Sequence, residues 1–268
     1  MPGPFISVLM GVYYRQKDTA VLERSVCSIL GQSVPNFELL VCDDGSTEEA
    51  HLLLKRLACK DSRIRLIQRA DSFSLAAKLN ACLEVARGKW LARMDDDDYS
   101  CPDRFAKQLA TLGNNPNIAF VGSNAALCRD GLPAGVRTLP EKPAVKDFFF
   151  VQPFIHPTLM FRREALLAVN GYSEEPRCIL CEDYDLLLRL YAKGYRGMNI
   201  QEPLLTYTLP HTSKGSRKMR HRWNEAVTRY QRFKELRILP AALPYVIKPL
   251  AVGLLPEPIL KRVKERFP

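Results

Sequence analysis

Trp90-Leu91-Ala92-Arg93-Met94-Asp95-Asp96-Asp97-Asp98 sets four aspartates directly after an apolar run. Like charges this close repel, and holding several of them ionised requires a cation or full solvation. The run before them reads as a buried strand, and the end of a buried strand is poorly solvated. Hard oxygen ligands at this spacing suit Mg²⁺ or Mn²⁺, and those ions suit a diphosphate. The competing reading is an acidic, solvated turn.

The chain before this stretch alternates strands with helices. Phe5 to Tyr13 is a continuous apolar run and predicts a buried strand. Asp18 or Thr19 can cap the helix that follows, whose Leu22, Val26, Ile29 and Leu30 share one face. Phe37 to Cys42 is the next strand and ends in Asp43-Asp44-Gly45-Ser46. A helix from about Thr47 to Cys59, a short strand at Ile64 to Ile67 and a helix marked by Leu75, Leu79, Cys82, Leu83 and Ala86 follow, the last closed by Gly88. Lys89 to Met94 then leads into the aspartates. Ser100 is placed to cap the next helix, with Pro102 in its first turn. Further on, Thr158 to Phe161 reads as a strand. Glu182-Asp183 opens a helix that runs to Lys193 and closes at Gly194. Acids at a helix N-terminus are favoured by the helix dipole whether or not they do chemistry.

This alternation predicts an α/β fold, a mostly parallel sheet with helices on both faces. Ligands of such sheets bind beyond the carboxyl ends of the strands. Asp43-Asp44 and Asp95 to Asp98 both lie at such ends, although they are far apart in sequence.

The length of 268 residues allows one large domain, or one domain with an appendage, and 47% hydrophobic with 25% charged residues is ordinary for a soluble protein. No charge-free apolar stretch reaches the length of a membrane span. Met1-Pro2-Gly3-Pro4 lacks the basic and apolar regions of a signal peptide, so a cytoplasmic home is expected. The eight cysteines fit reduced, mostly buried thiols, and Cys178 and Cys181 lack the second pair that a structural zinc needs. Charge is unevenly placed. Residues 1–210 carry 25 Lys+Arg against 25 Asp+Glu, whereas residues 211–268 carry 14 against 4, which is the whole net charge of +10. A neutral body with a basic tail points to a polyanionic partner for the tail.

Taken in order, these residues resemble family 2 glycosyltransferases of the A-type glycosyltransferase fold. The resemblance runs from about Ile6 to Tyr207. It is carried by Ser7 to Tyr13, Ser28-Ile29-Leu30-Gly31-Gln32-Ser33, Phe37 to Ser46, Ala76-Ala77-Lys78-Leu79-Asn80, Ala86-Arg87-Gly88-Lys89 and Ala92 to Asp98. His156-Pro157-Thr158, Gly171-Tyr172 and Cys181 to Leu186 follow in the family's order. It implies a catalytic domain over 1–210, with a nucleotide-binding half (1–100) and an acceptor half (101–210), and a basic helical extension over 211–268.

The resemblance also implies roles. Val12 and Tyr13 would flank the nucleotide base, or else simply end a packed strand. Asp44 would accept a hydrogen bond from the base imide, which favours uracil, or else form an Asx turn. Asp97 would bind the metal, Asp95 the ribose or a metal-bound water, and Asp96 would lie with them against the nucleotide-sugar. Lys78 and Asn80 would face the donor, although an exposed helix lysine is the commoner case. Asp183 would be the general base. His211 is either a late metal or diphosphate contact or a surface histidine. The chain departs from the family at Gly11 and Tyr14, where Pro and Asn are frequent, and at Thr208, where Arg commonly follows the tyrosine.

The implied reaction is an inverting transfer from a nucleoside-diphosphate sugar, UDP-linked, to a hydroxyl of a glycan or lipid-linked glycan, assisted by Mn²⁺ or Mg²⁺, in bacterial surface-polysaccharide synthesis. One displacement needs one carboxylate base, unlike a glycosidase. Basic clusters interleaved with apolar segments in 211–268 lead us to expect an anionic membrane surface as partner, and so a peripheral place on the inner face of the cell membrane. A solvated appendage or a dimer contact are the alternatives. A sugar nucleotidyltransferase would show a Gly-rich basic loop, which Gly11 to Lys17 does not make. A nucleic-acid-binding protein would show aromatic residues among the basic ones, so no nucleic acid is expected.

Overall fold

The computed structural model describes residues 5–69, 74–209 and 218–254. Its first half is β1 (Ile6–Val12), α1 (Ala20–Leu30), β2 (Phe37–Asp43), α2 (Glu48–Lys60), β3 (Ile64–Ile67), α3 (Leu75–Val85) and β4 (Trp90–Arg93). The rest contains β5 (Tyr99–Ser100), α4 (Arg104–Asn114), β6 (Phe120–Arg129), β7 (Leu132–Arg137), β8 (Met160–Arg162), α5 (Arg163–Ala168), α6 (Glu182–Ala192), β9 (Gly197–Thr208), α7 (Met219–Glu235) and α8 (Leu243–Gly253).

Among the described residues these strands form one nine-stranded sheet in the order β3-β2-β1-β4-β8-β6-β9-β5, with β7 paired to β6. β3, β2, β1 and β4 are parallel, β8 enters antiparallel between β4 and β6, and β6 and β9 are parallel. The sheet is therefore mixed, with its parallel half first. The register pairs Val12 with Asp43 and Leu9 with Arg93, so β1, β2 and β4 finish at one edge.

Alternation along each strand divides the core between the two faces. Ile6, Val8, Met10 and Val12 join Leu22 and Val26 of α1 and Leu53 and Leu57 of α2. Leu9 points the other way, into a cluster with Leu79 of α3 and Leu186 and Leu190 of α6. Phe233, Ala242 and Val246 belong to this second cluster. Over its described residues the basic C-terminal segment is thus packed onto the body. Among the described residues, no helix is long and apolar enough to cross a membrane.

Several local expectations change. α3 ends at Val85 with extended Ala86 as its cap, so Gly88 does not close it. Gly88 is required by a close approach instead: a Cβ there would stand 2.5 Å from the Ser7 nitrogen. Its N–H donates to Ser7 Oγ at 2.8 Å. Asp103, not Ser100, precedes α4, because Ser100 is drawn into β5 and donates its N–H to Ser28 Oγ. The strand expected over Thr158 to Phe161 begins at Met160, after a single 3-10 turn at His156–Thr158. Cys27 and Cys59 are exposed, while Cys178 and Cys181 are buried, and all eight cysteines are free thiols. Gly194 closes α6 as read. With φ +88° it lets Tyr195 N–H reach Leu190 O and its own N–H reach Tyr191 O, a Schellman pair.

Candidate active site at the carboxyl edge of the sheet

The aspartate run is held from three sides. Tyr13, just past β1, donates its backbone N–H to the Asp96 carboxylate at 3.2 Å. Ser25 of α1 donates its hydroxyl to Asp95 O at 2.7 Å. Thr208, at the end of β9, donates its hydroxyl to Asp97 O at 2.6 Å and its N–H to Asp98 Oδ1 at 2.8 Å. Beneath the run the fully buried Arg93 guanidinium pairs with the Asp95 carboxylate.

The electrostatics follow from this packing. Burial, then the charge of Asp95, pushes the Asp96 carboxyl up to about 6. Burial with the charges of Asp95 and Asp96 pushes Asp97 up to about 7. Asp98, fully buried, is raised well above the ordinary carboxylate range for the same reasons. The edge concentrates more negative charge than its own cations offset.

Tyr13, Asp44 and Lys78 gather at the same edge. Tyr13 is 61% exposed, and its ring stands over Gly45, where a Cβ would be 3.1 Å from it. Lys78 is buried, not an exposed helix lysine. Its Nζ lies 4.9 Å from the Tyr13 ring centroid. Burial lowers the Lys78 pKa, with Asp44, Asp43 and Asp96 acting in the opposite sense. Asp44 is half-buried directly after β2. The Val12 side chain is fully buried in the core, the packed strand end of its alternative reading, and the exposed side chain at this strand end is Tyr13. Asn80 differs from the expectation. Its amide donates to Tyr172 O at 2.9 Å and Glu174 Oε1 at 2.8 Å and accepts from Tyr172 N–H at 2.9 Å, tying α3 to the chain after α5.

Asp183 sits in the first turn of α6. Its Oδ1 accepts the Tyr184 N–H at 2.7 Å and its Oδ2 accepts from Gln152 Nε2 at 2.9 Å. Burial and the Asp183 charge push neighbouring Glu182 up to about 7. A cavity of about 240 Å³ opens beside Glu182, between Leu75 of α3 and Glu174, Ile179 and Leu180. His156 is buried, and its Nε2 lies 2.9 Å from Tyr172 Oη. Burial and the Arg93 charge hold His156 well below its ordinary value, hence neutral. His211 lies outside the described residues, as do Lys214, Arg217, Lys261, Arg262, Lys264 and Arg266.

Arg93, Thr208 and Gln152 carry much of this geometry and were not singled out from sequence. Arg93 lay inside a run read as a strand, Thr208 stood only as a departure, and Gln152 is in an irregular loop with no local signal.

Comparison with known proteins accords with the fold. The glycosyl transferase family 2 model matches residues 7–168. EpsE of Bacillus subtilis (strain 168) is 35% identical over 265 residues, 98% of this chain and 94% of that protein. The Escherichia coli O-antigen biosynthesis glycosyltransferase WbnJ is 31% identical over 213 residues, 78% of this chain and 81% of WbnJ. S. aureus TarS 1-349 in complex with UDP-GlcNAc shares the fold at a TM-score of 0.70 and 16% identity, over 91% of this chain and 72% of that one. The mannosyltransferase PcManGT from Pyrobaculum calidifontis, in complex with GDP-Man and Mn²⁺, does so at 0.63 and 19%, over 98% and 79%. The architecture is the A-type glycosyltransferase fold, and with a family match over more than half its length the chain belongs to glycosyl transferase family 2 and is a transferase.

Proposed function

We propose that the enzyme transfers a sugar, with inversion, from a UDP-sugar to a hydroxyl of a glycan or lipid-linked glycan in bacterial surface-polysaccharide synthesis. The observation that carries this reading is the aspartate run held at the carboxyl end of the parallel strands by Tyr13, Ser25 and Thr208, with Asp183 and Asp95 both acting on Tyr172. The aspartate run lies at the ends of the nucleotide-side strands, and Asp183 stands at the head of α6.

The donor half follows from the edge itself. Tyr13 offers an exposed ring for the base, Asp44 an acceptor for its imide, and Lys78 a cation beside the acidic edge. Asp95 and Asp96 would lie against ribose and diphosphate. Support for a UDP donor comes from the UDP-GlcNAc complex of TarS. The Mn²⁺ complex of PcManGT supports a metal. Among the described residues no three His, Cys, Asp or Glu side chains converge on a protein-only metal site. That fits Mg²⁺ or Mn²⁺, which take one or two carboxylates and complete their shell with phosphate and water. Asp97, whose carboxyl is raised by burial and by the charges of Asp95 and Asp96, fits the direct ligand, with Asp95 beside it. Bound there, the cation would supply charge neutralisation for the departing diphosphate. Asp183 would take the proton of the attacking hydroxyl.

The described part of the C-terminal segment exposes Met219, Trp223, Leu243 and Ile247. Lys218, Arg220, Lys234 and Arg237 are exposed with them. Apolar groups among cations suit the anionic inner face of the cell membrane, where a lipid-linked acceptor is held. Flotation of the protein with phosphatidylglycerol vesicles tests this; no binding at low salt removes the membrane part.

Asp183→Asn tests the chemistry. Transfer is expected to be abolished while UDP still raises the melting temperature; full transfer by this variant would sink the base assignment.

A further inference from the structure

We infer that Gln152 is a positioning residue for the reaction: its amide holds Asp183 Oδ2 and fixes the direction in which that carboxylate accepts a proton. The inference rests on Asp183 being the base.

The contact is a built one. Gln152 Nε2 donates both to Asp183 Oδ2 at 2.9 Å and to Phe154 O at 3.1 Å. A backbone carbonyl can only accept, so the amide must present its NH₂ at this end, and Asp183 receives a donor. Oδ1 is held by the Tyr184 N–H at 2.7 Å. Each oxygen has a fixed donor, and a carboxylate oxygen can accept more than one hydrogen bond.

The loop that carries Gln152 is itself clamped. Tyr184 Oη of α6 donates to Phe148 O at 2.6 Å, and Arg229 of α7 donates to Phe149 O at 2.9 Å. Lys248 of α8 donates to Phe150 O. Three consecutive carbonyls just before Gln152 are therefore held by three helices. Phe148 is fully buried between Phe154, Tyr184 and Tyr191. Such support lets one amide set a carboxylate's orientation, because misplacement by about 1 Å can remove about 100-fold of rate.

Other ionisable groups also act around Asp183. Glu182 and Cys181 precede it, and Tyr172 faces it from the chain after α5. Arg93 of β4 acts on Glu182 and Tyr172. On α7, Arg229 lies 4.5 Å from the Tyr184 ring centroid, with Glu225 paired to it.

The test compares Gln152→Ala, the isosteric Gln152→Glu and Asp183→Asn in the full-length enzyme. Gln152→Ala is expected to lower kcat on the order of 10- to 100-fold with the donor KM little changed. Gln152→Glu sets a second carboxylate against Asp183, which disfavours ionisation of the pair. The acidic limb of kcat/KM should then move up by about one pH unit or more. Because Glu182 titrates nearby, the limb is read again in a Glu182→Gln background, where the shift should persist. A UDP-induced rise in melting temperature equal to wild type shows that the variants are folded, and Gln152→Glu decides if Gln152→Ala is unstable. Wild-type kcat and an unmoved acidic limb overturn the inference. Full activity of Asp183→Asn would instead overturn the base assignment, whatever the Gln152 variants do.

Discussion

Arg232 of α7 places its guanidinium 2.7 Å from the carboxylate of Asp185, a fully buried residue two positions after Asp183. Arg189 takes the other oxygen at 2.7 Å and donates to Gly171 O at 2.8 Å and to Val169 O. One buried carboxylate thus joins the C-terminal helix, the helix that carries the proposed base and the turn before Tyr172. Part of the tail's positive charge is internal: Arg229 is buried, and Arg232 is turned toward Asp185.

Removing one partner of a buried pair leaves the other charge uncompensated, which costs about 3–5 kcal/mol. Asp185→Ala strands two arginines and should reach that range in urea unfolding. Arg232→Met leaves Arg189 on Asp185 and should cost clearly less. Equal losses for the two variants would contradict the arrangement.

Asp97→Ala should remove the Mn²⁺-dependent part of stabilisation by UDP. With Mn²⁺ present and UDP at about 100 times Kd, UDP should stabilise wild type by about 2.7 kcal/mol in total. A thermal-shift panel of UDP with and without Mn²⁺ reads the Mn²⁺-dependent part, and a chelator added to wild type should reproduce the variant. An unchanged Mn²⁺ effect in the variant would place the cation elsewhere.

Gly88→Ala should destabilise by about 1–3 kcal/mol, because the added methyl meets the rigid backbone at Ile6 and Ser7. Gly113, in the last turn of α4, has nothing within 4 Å of a Cβ. Gly113→Ala should stabilise by about 0.5–1 kcal/mol. Opposite shifts in melting temperature are expected.

Glu38 supplies a pH test. Burial alone would raise its carboxyl, but hydrogen bonds from Arg87, Ser7 and Arg65 outweigh that and hold it below its ordinary value. A lowered folded-state value means stability that is full above the unfolded value of about 4.3 and is lost as pH falls through the folded one. The stability gap between wild type and Glu38→Gln should therefore be widest near pH 7 and narrow below about pH 4. A gap that stays constant from pH 7 to 3 would show that charge is not its source.

Much of the site was legible because its parts are local. Asp95 to Asp98 follow an apolar run, and Asp183 follows a break before a periodic helix. Such patterns reveal a strand end or a helix start wherever the chain goes. Lys78 shows where this reasoning stops. Its helical position suggested exposure, yet the close packing of α3 against Gly11 buries it, since a Cβ on Gly11 would stand 3.1 Å from Lys78 Cβ. Asn80 is tied to Tyr172 and Glu174 and the Val12 side chain is buried for a related reason: which face of a helix or strand end is covered depends on neighbours remote in sequence.

The sequence alone determined the α/β alternation, the acidic clusters at strand ends and the concentration of basic charge after residue 210, since each follows from periodicity and composition within short windows. Only the tertiary structure decided that Thr208 and Tyr13 clamp the aspartates, that Gln152 meets Asp183, and that Arg232 of the basic tail ends on Asp185. These pairs are separated by 31 to 111 residues or are joined only through packed helices. Burial and sheet register, which no local pattern encodes, bring them to hydrogen-bonding distance.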